Sequence, residues 1–381
     1  MSGRCAFGIL PGILALLATA ALSGQSPSGP ITPAPGTAVQ QAPGQTKIST
    51  RVALVNTPVT VRNSKGEMVD NLEAKDFHIT DNGVPQSVLH FDLGSDPLSL
   101  VILVETSSRI EPLLPEIRKT GIIFTEDVMG ADGEAAVVGF NDSVDKLADF
   151  TKDHDAIQST INKLKGGTDG SKLFDAMAVG VEMLSGRPQP QPTADSPGRR
   201  RVMVIVSEAT DVGSETRLGA VLRQAQLANI TIYSVGISTT AAELKAKPKD
   251  AGHQSQPEGT FPVPPVPGSV QTPTAEQNRE GYGNIVNLIK WAVTNVKNKI
   301  TDHALEIATA GTGGEHIPTF KDKNIEKAVD EIGGELHSQY SLTYAPAGTS
   351  QTGYHEIKVQ VDKKELKVRA RPGYYLAPPE S

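Results

Sequence analysis

The chain has 381 residues, a formal net charge of −7 and only 4% aromatic residues. Its acidic balance argues against nucleic-acid binding, because proteins that bind nucleic acid present a basic face. The length is sufficient for two domains, and the single cysteine, Cys5, allows no disulfide within the chain.

The amino terminus has the pattern of a secretory signal peptide. One charged residue, Arg4, precedes an apolar stretch from Cys5 to Leu22, and small residues follow it. This pattern predicts a signal peptide over residues 1–24 and a secreted or periplasmic (cell-envelope) location. An uncleaved membrane anchor is the alternative, and Pro11 argues against it. No other stretch is long and apolar enough to span a bilayer, so we expect no membrane span after cleavage.

The segment after the signal is expected to be a linker, and β-strands are expected to follow it. Residues 25–46 are rich in Pro, Gly, Gln and Ser, a composition typical of flexible tethers. Residues 47–96 contain four short alternating runs, with a hairpin turn signal at Asn82-Gly83. Four short strands are too few for an independent, well-covered sheet.

From Leu98 the pattern changes, and strands alternate with helices. The run LSLVILVETSSRI is continuously apolar and then polar, which predicts a parallel strand buried on both faces. The alternation predicts a mostly parallel sheet. Further strands are expected at 134–141, 144–150 (an edge strand), 201–207, 231–237 and 316–320, and helices at 110–129, 153–164, 172–184, 215–228, 284–310 and 324–336.

Two further segments complete the predicted organisation. Residues 241–283 are poor in apolar residues and dense in Pro and Gly, so we expect an exposed, disordered insertion. Residues 336–378 return to a β pattern with three strands. Because each flank alone buries too little surface, we predict one β-sandwich built from both, with an α/β domain over residues 97–335 inserted between them. Two separate small β units are the alternative.

The order of these elements resembles the von Willebrand factor A domain. A strand leads into a hydroxyl-rich loop, then a Gly-Gly-Thr loop precedes a helix, and an acidic loop follows a later strand. The flanks DNLEAKDFHITDNGVPQSVLHF, HSQYSLTYAP and KVRARPGYYLAP resemble those of bacterial VWFA-related proteins described from acidobacteria. The resemblance covers nearly everything from Arg51 to Ala377. It implies a Rossmann-like fold with helices on both faces of the sheet, and a metal-ion-dependent adhesion site.

The resemblance also places the metal site on particular residues. Such a site uses D-x-S-x-S after the first strand, a Thr on a second loop and an Asp after the fourth strand. In this chain those positions hold Glu105, Ser107, Arg109, Thr168 and Glu208. Only the serine and the threonine at positions 107 and 168 keep the expected residue type.

The departures favour a degenerate site without a cofactor. A glutamate in place of aspartate shifts its oxygens by one methylene, and Mg²⁺ has strict geometric demands. Arg109 puts a permanent cation where a hydroxyl ligand should be, and its guanidinium can pair with Glu105 or Glu208. The alternative is Mg²⁺ or Mn²⁺ bound by these glutamates with Ser107 and Thr168. The surrounding binding edge is predicted to include Ser108, Arg109, Asp169 and Asp211.

Signals for enzymatic chemistry are absent from the sequence. There is no zinc motif, no nucleophile elbow and no Walker loop. The leading hypothesis is an exported, non-enzymatic protein-interaction module with an unknown protein partner. The second is a divalent-cation-dependent adhesin or receptor that binds an acidic residue of its partner. The third, a hydrolase, is supported only by acidic residues around Glu208 and Asp211. The basic run at 199–201 is expected to be a solvated loop end.

Overall fold

The computed structural model describes residues 54–187, 199–237, 286–297, 303–319, 323–347, 352–363 and 365–376, all within the unit Arg51–Ser381. The predicted signal peptide, linker and insertion lie outside the described residues. The strands are β1 (Val55–Arg62), β2 (Phe77–Asp81), β3 (Val84–Gln86), β4 (Val88–Leu93), β5 (Leu98–Glu105), β6 (Glu134–Phe140), β7 (Val144–Thr151), β8 (Arg200–Ser207), β9 (Ile230–Ile237), β10 (His316–Thr319), β11 (Tyr340–Tyr344), β12 (Gly353–Val361), β13 (Lys367–Ala370) and β14 (Gly373–Leu376).

The helices lie mostly between the strands of the central region. They are α1 (Leu114–Ile123), α2 (His154–Asn162), α3 (Leu173–Ser185), α4 (Leu218–Leu227), α5 (286–294), α6 (Ala304–Thr312) and α7 (Lys323–Ser338). A 3₁₀-helix (Ser108–Leu113) precedes α1, and a π-helix (Phe124–Met129) follows it. No helix in the described ranges is long and apolar enough to cross a membrane.

The central sheet has six strands in the order β10-β9-β8-β5-β6-β7. All neighbours are parallel except β7, which runs antiparallel at the edge. Every residue of β5 is buried, as its continuous apolar run predicts. Helices α3, α4, α5 and α6 contribute to the core on one face of the sheet, and α1, α2 and α7 to the core on the other. The predicted α/β fold class is confirmed.

The flanks of the chain form two four-stranded antiparallel sheets. Their orders are β13-β1-β11-β4 and β14-β12-β2-β3, so each sheet combines strands from both flanks. Their facing side chains form one core, in which Phe77 lies 4.9 Å from Tyr340 between ring centroids. The composite sandwich is therefore present, and the alternative of two separate β units is wrong.

Several predictions about individual helices, strands and loops differ in detail from the structure. The helix expected over 284–310 is interrupted: α5 ends at residue 294, a turn follows at 296–297, and α6 begins at Ala304 after His303, whose φ of 54° is left-handed. The described part of residues 336–378 holds four strands and not the expected three, because Pro372, which has no N–H for a ladder hydrogen bond, separates β13 from β14. Arg200 and Arg201 are buried in β8 and are not a solvated loop end. Their guanidinium groups donate to the carbonyl groups of Leu336, Ala228 and Arg187.

One glycine after α6 marks a close approach of two backbones. A Cβ on Gly314 would overlap the carbonyl oxygen of Ile232 in β9, whereas a Cβ on Gly334 in α7 would meet no atom within 4 Å. We expect Gly314→Ala to lower the free energy of unfolding by about 2 kcal/mol through overpacking. The matched variant Gly334→Ala should raise it by about 0.5–1 kcal/mol, because alanine is the better helix former. Urea denaturation measures both, and equal stabilities would contradict the close approach.

Candidate functional site

The carboxyl edge of the central sheet is built around a buried carboxylate, Glu105, at the end of β5. The residue is fully buried. Its Oε1 accepts a hydrogen bond from the hydroxyl of Ser107 (2.7 Å). Its Oε2 accepts from the hydroxyl of Ser207 (2.8 Å) and from the backbone N–H of Glu208 (3.0 Å). Burying a carboxylate lowers the stability of the fold unless its oxygens have hydrogen-bond or ionic partners. For Glu105, these three hydrogen bonds and a neighbouring cation are the partners.

That cation is Arg109, which begins the turn after β5. Its Nη2 lies 3.1 Å from Glu105 Oε1, and its Nε lies 3.0 Å from Glu208 Oε2. Its Nη1 donates to the backbone oxygen of Asp169 at 2.8 Å. One guanidinium thus bridges two carboxylates and a neighbouring loop, and charge-assisted bonds of this kind are the stronger ones. The ion pairing considered from the sequence is present with both glutamates.

The second predicted loop lies beside this cluster. The backbone oxygen of Thr168 accepts from the N–H of Ser108 at 3.0 Å, and the Ser108 hydroxyl donates to the Asp169 carboxylate. The Thr168 hydroxyl bonds to Asn141 at 3.4 Å. Of the four predicted ligand positions, the two glutamates and Ser107 therefore meet around Arg109. Thr168 is exposed and bonds to the loop after β6.

Asp211 has a different environment from the other predicted edge residues. Its Oδ1 accepts from the backbone N–H of Phe174 at 3.2 Å, at the start of α3. Asp175, the next residue of that helix, accepts from the N–H of Thr216 at 2.9 Å. Burial alone would raise the pKa of Asp175, but the hydrogen bonds from Thr216 and Glu215 hold it below the ordinary value. Asp211 and Asp175 thus connect the start of α3 to the loop that follows β8.

The central part of the chain matches a known family. Residues 99–254 match the model of the von Willebrand factor type A domain. This region is a von Willebrand factor type A (VWA) domain. Curated proteins give no match to the chain.

Solved structures similar to this chain include three from bacteria. An aerotolerance-related membrane protein from Bacteroides fragilis is 11% identical, with 62% of this chain and 98% of that chain covered and a TM-score of 0.37. BatB from Bacteroides thetaiotaomicron is 13% identical, with 63% and 98% covered and a TM-score of 0.38. A von Willebrand factor type A protein from Catenulispora acidiphila is 7% identical, with 87% and 76% covered and a TM-score of 0.41.

Two residues of the VWA edge were missed by the sequence reasoning. Ser207 ends β8 and donates to Glu105, and Asn141 follows β6 and donates from its Nδ2 to the hydroxyl of Thr106 at 3.1 Å. Each is a polar residue at the carboxyl end of a buried parallel strand. That position was a usable signal, because the carboxyl ends of parallel strands meet at one edge of the sheet.

The loop after β8 has a strained residue directly beside the glutamate pair. Ala209 has a φ of 66°, a region that side chains other than glycine seldom adopt. Its backbone N–H donates to the hydroxyl of Ser207 at 3.0 Å. This bond fixes the loop where Glu208 faces Arg109.

The residues of this VWA edge do not fit the divalent ion that the family implies. Such an ion needs free oxygen ligands in a near-octahedral shell. Here both oxygens of Glu105 already accept hydrogen bonds, and Arg109 contacts the carboxylates of Glu105 and Glu208. Among the described residues, no group of three or more His, Cys, Asp or Glu side chains is placed to hold a metal ion. An ion at this edge would have to displace the guanidinium.

Proposed function

We propose that this VWA domain is a protein-interaction module whose sheet edge binds its partner without a divalent cation. VWA domains are in general interaction modules. The observation that carries the proposal is the Arg109 guanidinium, which lies within 3.1 Å of carboxylate oxygens of both Glu105 and Glu208. The bound cation of a metal-dependent site is here replaced by a cation that belongs to the chain itself.

The charge at the edge supports a different mode of recognition from that of a metal site. A divalent ion stays electrophilic and accepts an acidic ligand from the partner. Arg109 carries one positive charge against two carboxylates, so the cluster is net negative and does not attract an acid. The partner would contact the accessible rim around the cluster, where Thr168 and Asp169 are exposed.

The proposal includes export and the absence of catalysis. The apolar amino-terminal stretch supports a signal peptide and a cell-envelope or secreted location. The chain carries no motif of a known hydrolase. In this view the protein acts by holding a partner protein outside the cytoplasm.

Photo-crosslinking tests this function directly. A photoreactive amino acid at the exposed position Thr168 should capture a partner from cell-envelope extract of the source organism. The yield should be equal in buffer with Mg²⁺ and in buffer with a chelator, because no ion takes part. Reversing the rim charge with Asp169→Arg should lower the yield at least about tenfold, since like charges that replace opposite ones at an interface cost several kcal/mol.

The control places the same photoreactive residue at Leu89, which is 64% exposed on β4 of the sandwich. It should not capture the partner seen from position 168. Loss of the crosslink in chelator would instead identify a cation-dependent adhesin. The same product from both positions would show that the sheet edge is not the binding surface.

A further inference from the structure

A buried ion cluster joins α7 of the VWA domain to the sandwich. Glu335 of α7, whose side chain is 2% exposed, contacts Arg62 of β1 at 3.1 Å and also Arg369 of β13. Glu315, in the turn before β10, contacts the same two guanidinium groups at 3.5 and 3.0 Å. Two carboxyl groups therefore share two arginines at the joint where the VWA domain meets the sandwich.

Neutral side chains form hydrogen bonds around Glu335. The hydroxyl of Tyr233 in β9 donates to Glu335 Oε1 at 2.8 Å, and Gln339 Nε2 donates to the Tyr233 hydroxyl at 2.9 Å. Gln339 and Arg369 both reach the hydroxyl of Thr60, at 3.2 and 3.3 Å. Burial raises the pKa of Tyr233 well above its ordinary value, so this residue remains a donor.

The two carboxyl groups differ in their access to water. The Glu315 side chain is 37% exposed, whereas that of Glu335 is enclosed. Both carboxylates contact the same Nη2 atom of Arg62 and the same Nη2 atom of Arg369, so their oxygens lie close to each other. Burial raises the pKa of Glu315. Burial would also raise the pKa of Glu335, but the charge of Arg369 outweighs it and the pKa is lowered. A proton that enters the cluster from solvent therefore belongs on Glu315.

We propose that Glu315 and Glu335 form a one-proton switch at this joint. On acidification, Glu315 takes one proton from solvent as a new O–H bond and donates that hydrogen to Glu335. Glu335 stays ionised and keeps its contacts with Arg62, Arg369 and Tyr233. Among the described residues, these four and Glu315 are the titratable and charged groups that face the pair from α7, β1, β13, β9 and the turn before β10. Arg200 of β8 interacts electrostatically with Tyr233.

The direction in which stability changes with pH follows from the two pKa shifts. The folded-state pKa of Glu315 is raised, so its stabilisation is complete below the ordinary value of 4.5 and is lost as the pH rises through the folded-state value. Glu335 has the opposite sign, and its stabilisation is lost as the pH falls below 4.5 through its lowered folded-state value. The joint is therefore most stable in mildly acidic solution, when it holds one proton.

Glu315→Gln tests the switch, because glutamine imitates the protonated carboxyl group and cannot titrate. Free energies of unfolding should be measured for wild type and variant from mildly acidic to neutral pH. The wild type should lose stability relative to Glu315→Gln as the pH rises. Glu331→Gln is the matched control, since Glu331 is an exposed carboxylate on α7, the helix that carries Glu335. The difference in the free energy of unfolding between Glu331→Gln and the wild type should not grow in this way as the pH rises.

Carboxyl NMR gives an independent measurement on the wild-type chain. In protein labelled with ¹³C at glutamate side chains, one carboxyl resonance should titrate above the ordinary value of 4.5. This resonance should persist in Glu331→Gln and disappear in Glu315→Gln. A stability difference that is constant across the pH range, or a spectrum without such a resonance, would overturn the proposal. The carboxyl titration decides the question even if Glu315→Gln does not fold.

Discussion

Replacing Arg109 by serine is expected to lower the free energy of unfolding by about 3 kcal/mol in the presence of a chelator. The variant leaves Glu105 buried without its cation, and removing one partner of a buried ion pair costs about 3–5 kcal/mol. The expected loss is at the low end because the Arg109 side chain is 34% exposed. Chemical denaturation of wild type and variant measures the loss.

The same variant should gain an affinity for Mg²⁺ or Mn²⁺ that the wild type lacks. Serine restores a hydroxyl ligand beside Ser107 and removes the guanidinium from between the two carboxylates, so added metal should recover part of the lost stability. Isothermal titration should show saturable binding to Arg109→Ser, and no saturable heat with wild type. Arg109→Lys is the control, since it keeps the charge and loses the planar fork. If the wild type bound metal and Thr168→Ala abolished that binding, the proposal of a cation-independent site would be disproved.

Replacing Asp81 by alanine is expected to have the larger effect, about 4 kcal/mol, because it removes a buried acceptor that several buried polar groups share. Asp81 is fully buried in the sandwich. Its Oδ2 accepts from the hydroxyls of Tyr344 (3.1 Å) and Tyr374 (2.8 Å), and its Oδ1 lies 2.8 Å from His355 Nδ1. These partners come from β11, β14 and β12, so one carboxyl group connects strands of both sheets. Urea denaturation followed by tyrosine fluorescence measures the loss.

Two variants separate this network from a general effect of losing an aspartate. Asp81→Asn keeps the shape and one acceptor oxygen, so it should lose less stability than Asp81→Ala. Asp70→Ala removes an exposed carboxylate nearby in sequence and should change stability by less than about 0.5 kcal/mol. If Asp81→Ala were as stable as Asp70→Ala, the network would contribute nothing to the sandwich.

The sequence was sufficient to predict the fold class and the location of the edge. The apolar run of β5 ends in a cluster of polar residues, and a parallel sheet brings such ends together. Glu105, Ser107 and Glu208 do meet, although 103 positions separate the first from the last. The effect of an arginine at position 109, where the family pattern has a serine, could be predicted from the sequence because a guanidinium is charged in any environment.

Other features depend on contacts that no local pattern contains. Arg62 meets Glu335 across 273 positions, and both lie in segments whose patterns indicate only a strand and a helix. The helical pattern over 284–310 contains no sign that α5 ends at residue 294 or that His303, just before α6, has a left-handed backbone. Ser207 was overlooked because a serine at the end of an apolar strand resembles an ordinary strand end.

The sandwich has a mechanical consequence for the domain that it encloses. Val55 and Leu376, near the two ends of the described chain, both belong to sandwich strands, and β1 lies hydrogen-bonded between β11 and β13. Tension applied between these two ends is carried by the strands of the sandwich. The VWA domain leaves and re-enters the sandwich through β4 and β11, which are paired neighbours. While the sandwich holds, the carboxyl edge of the VWA sheet is outside the path of the force.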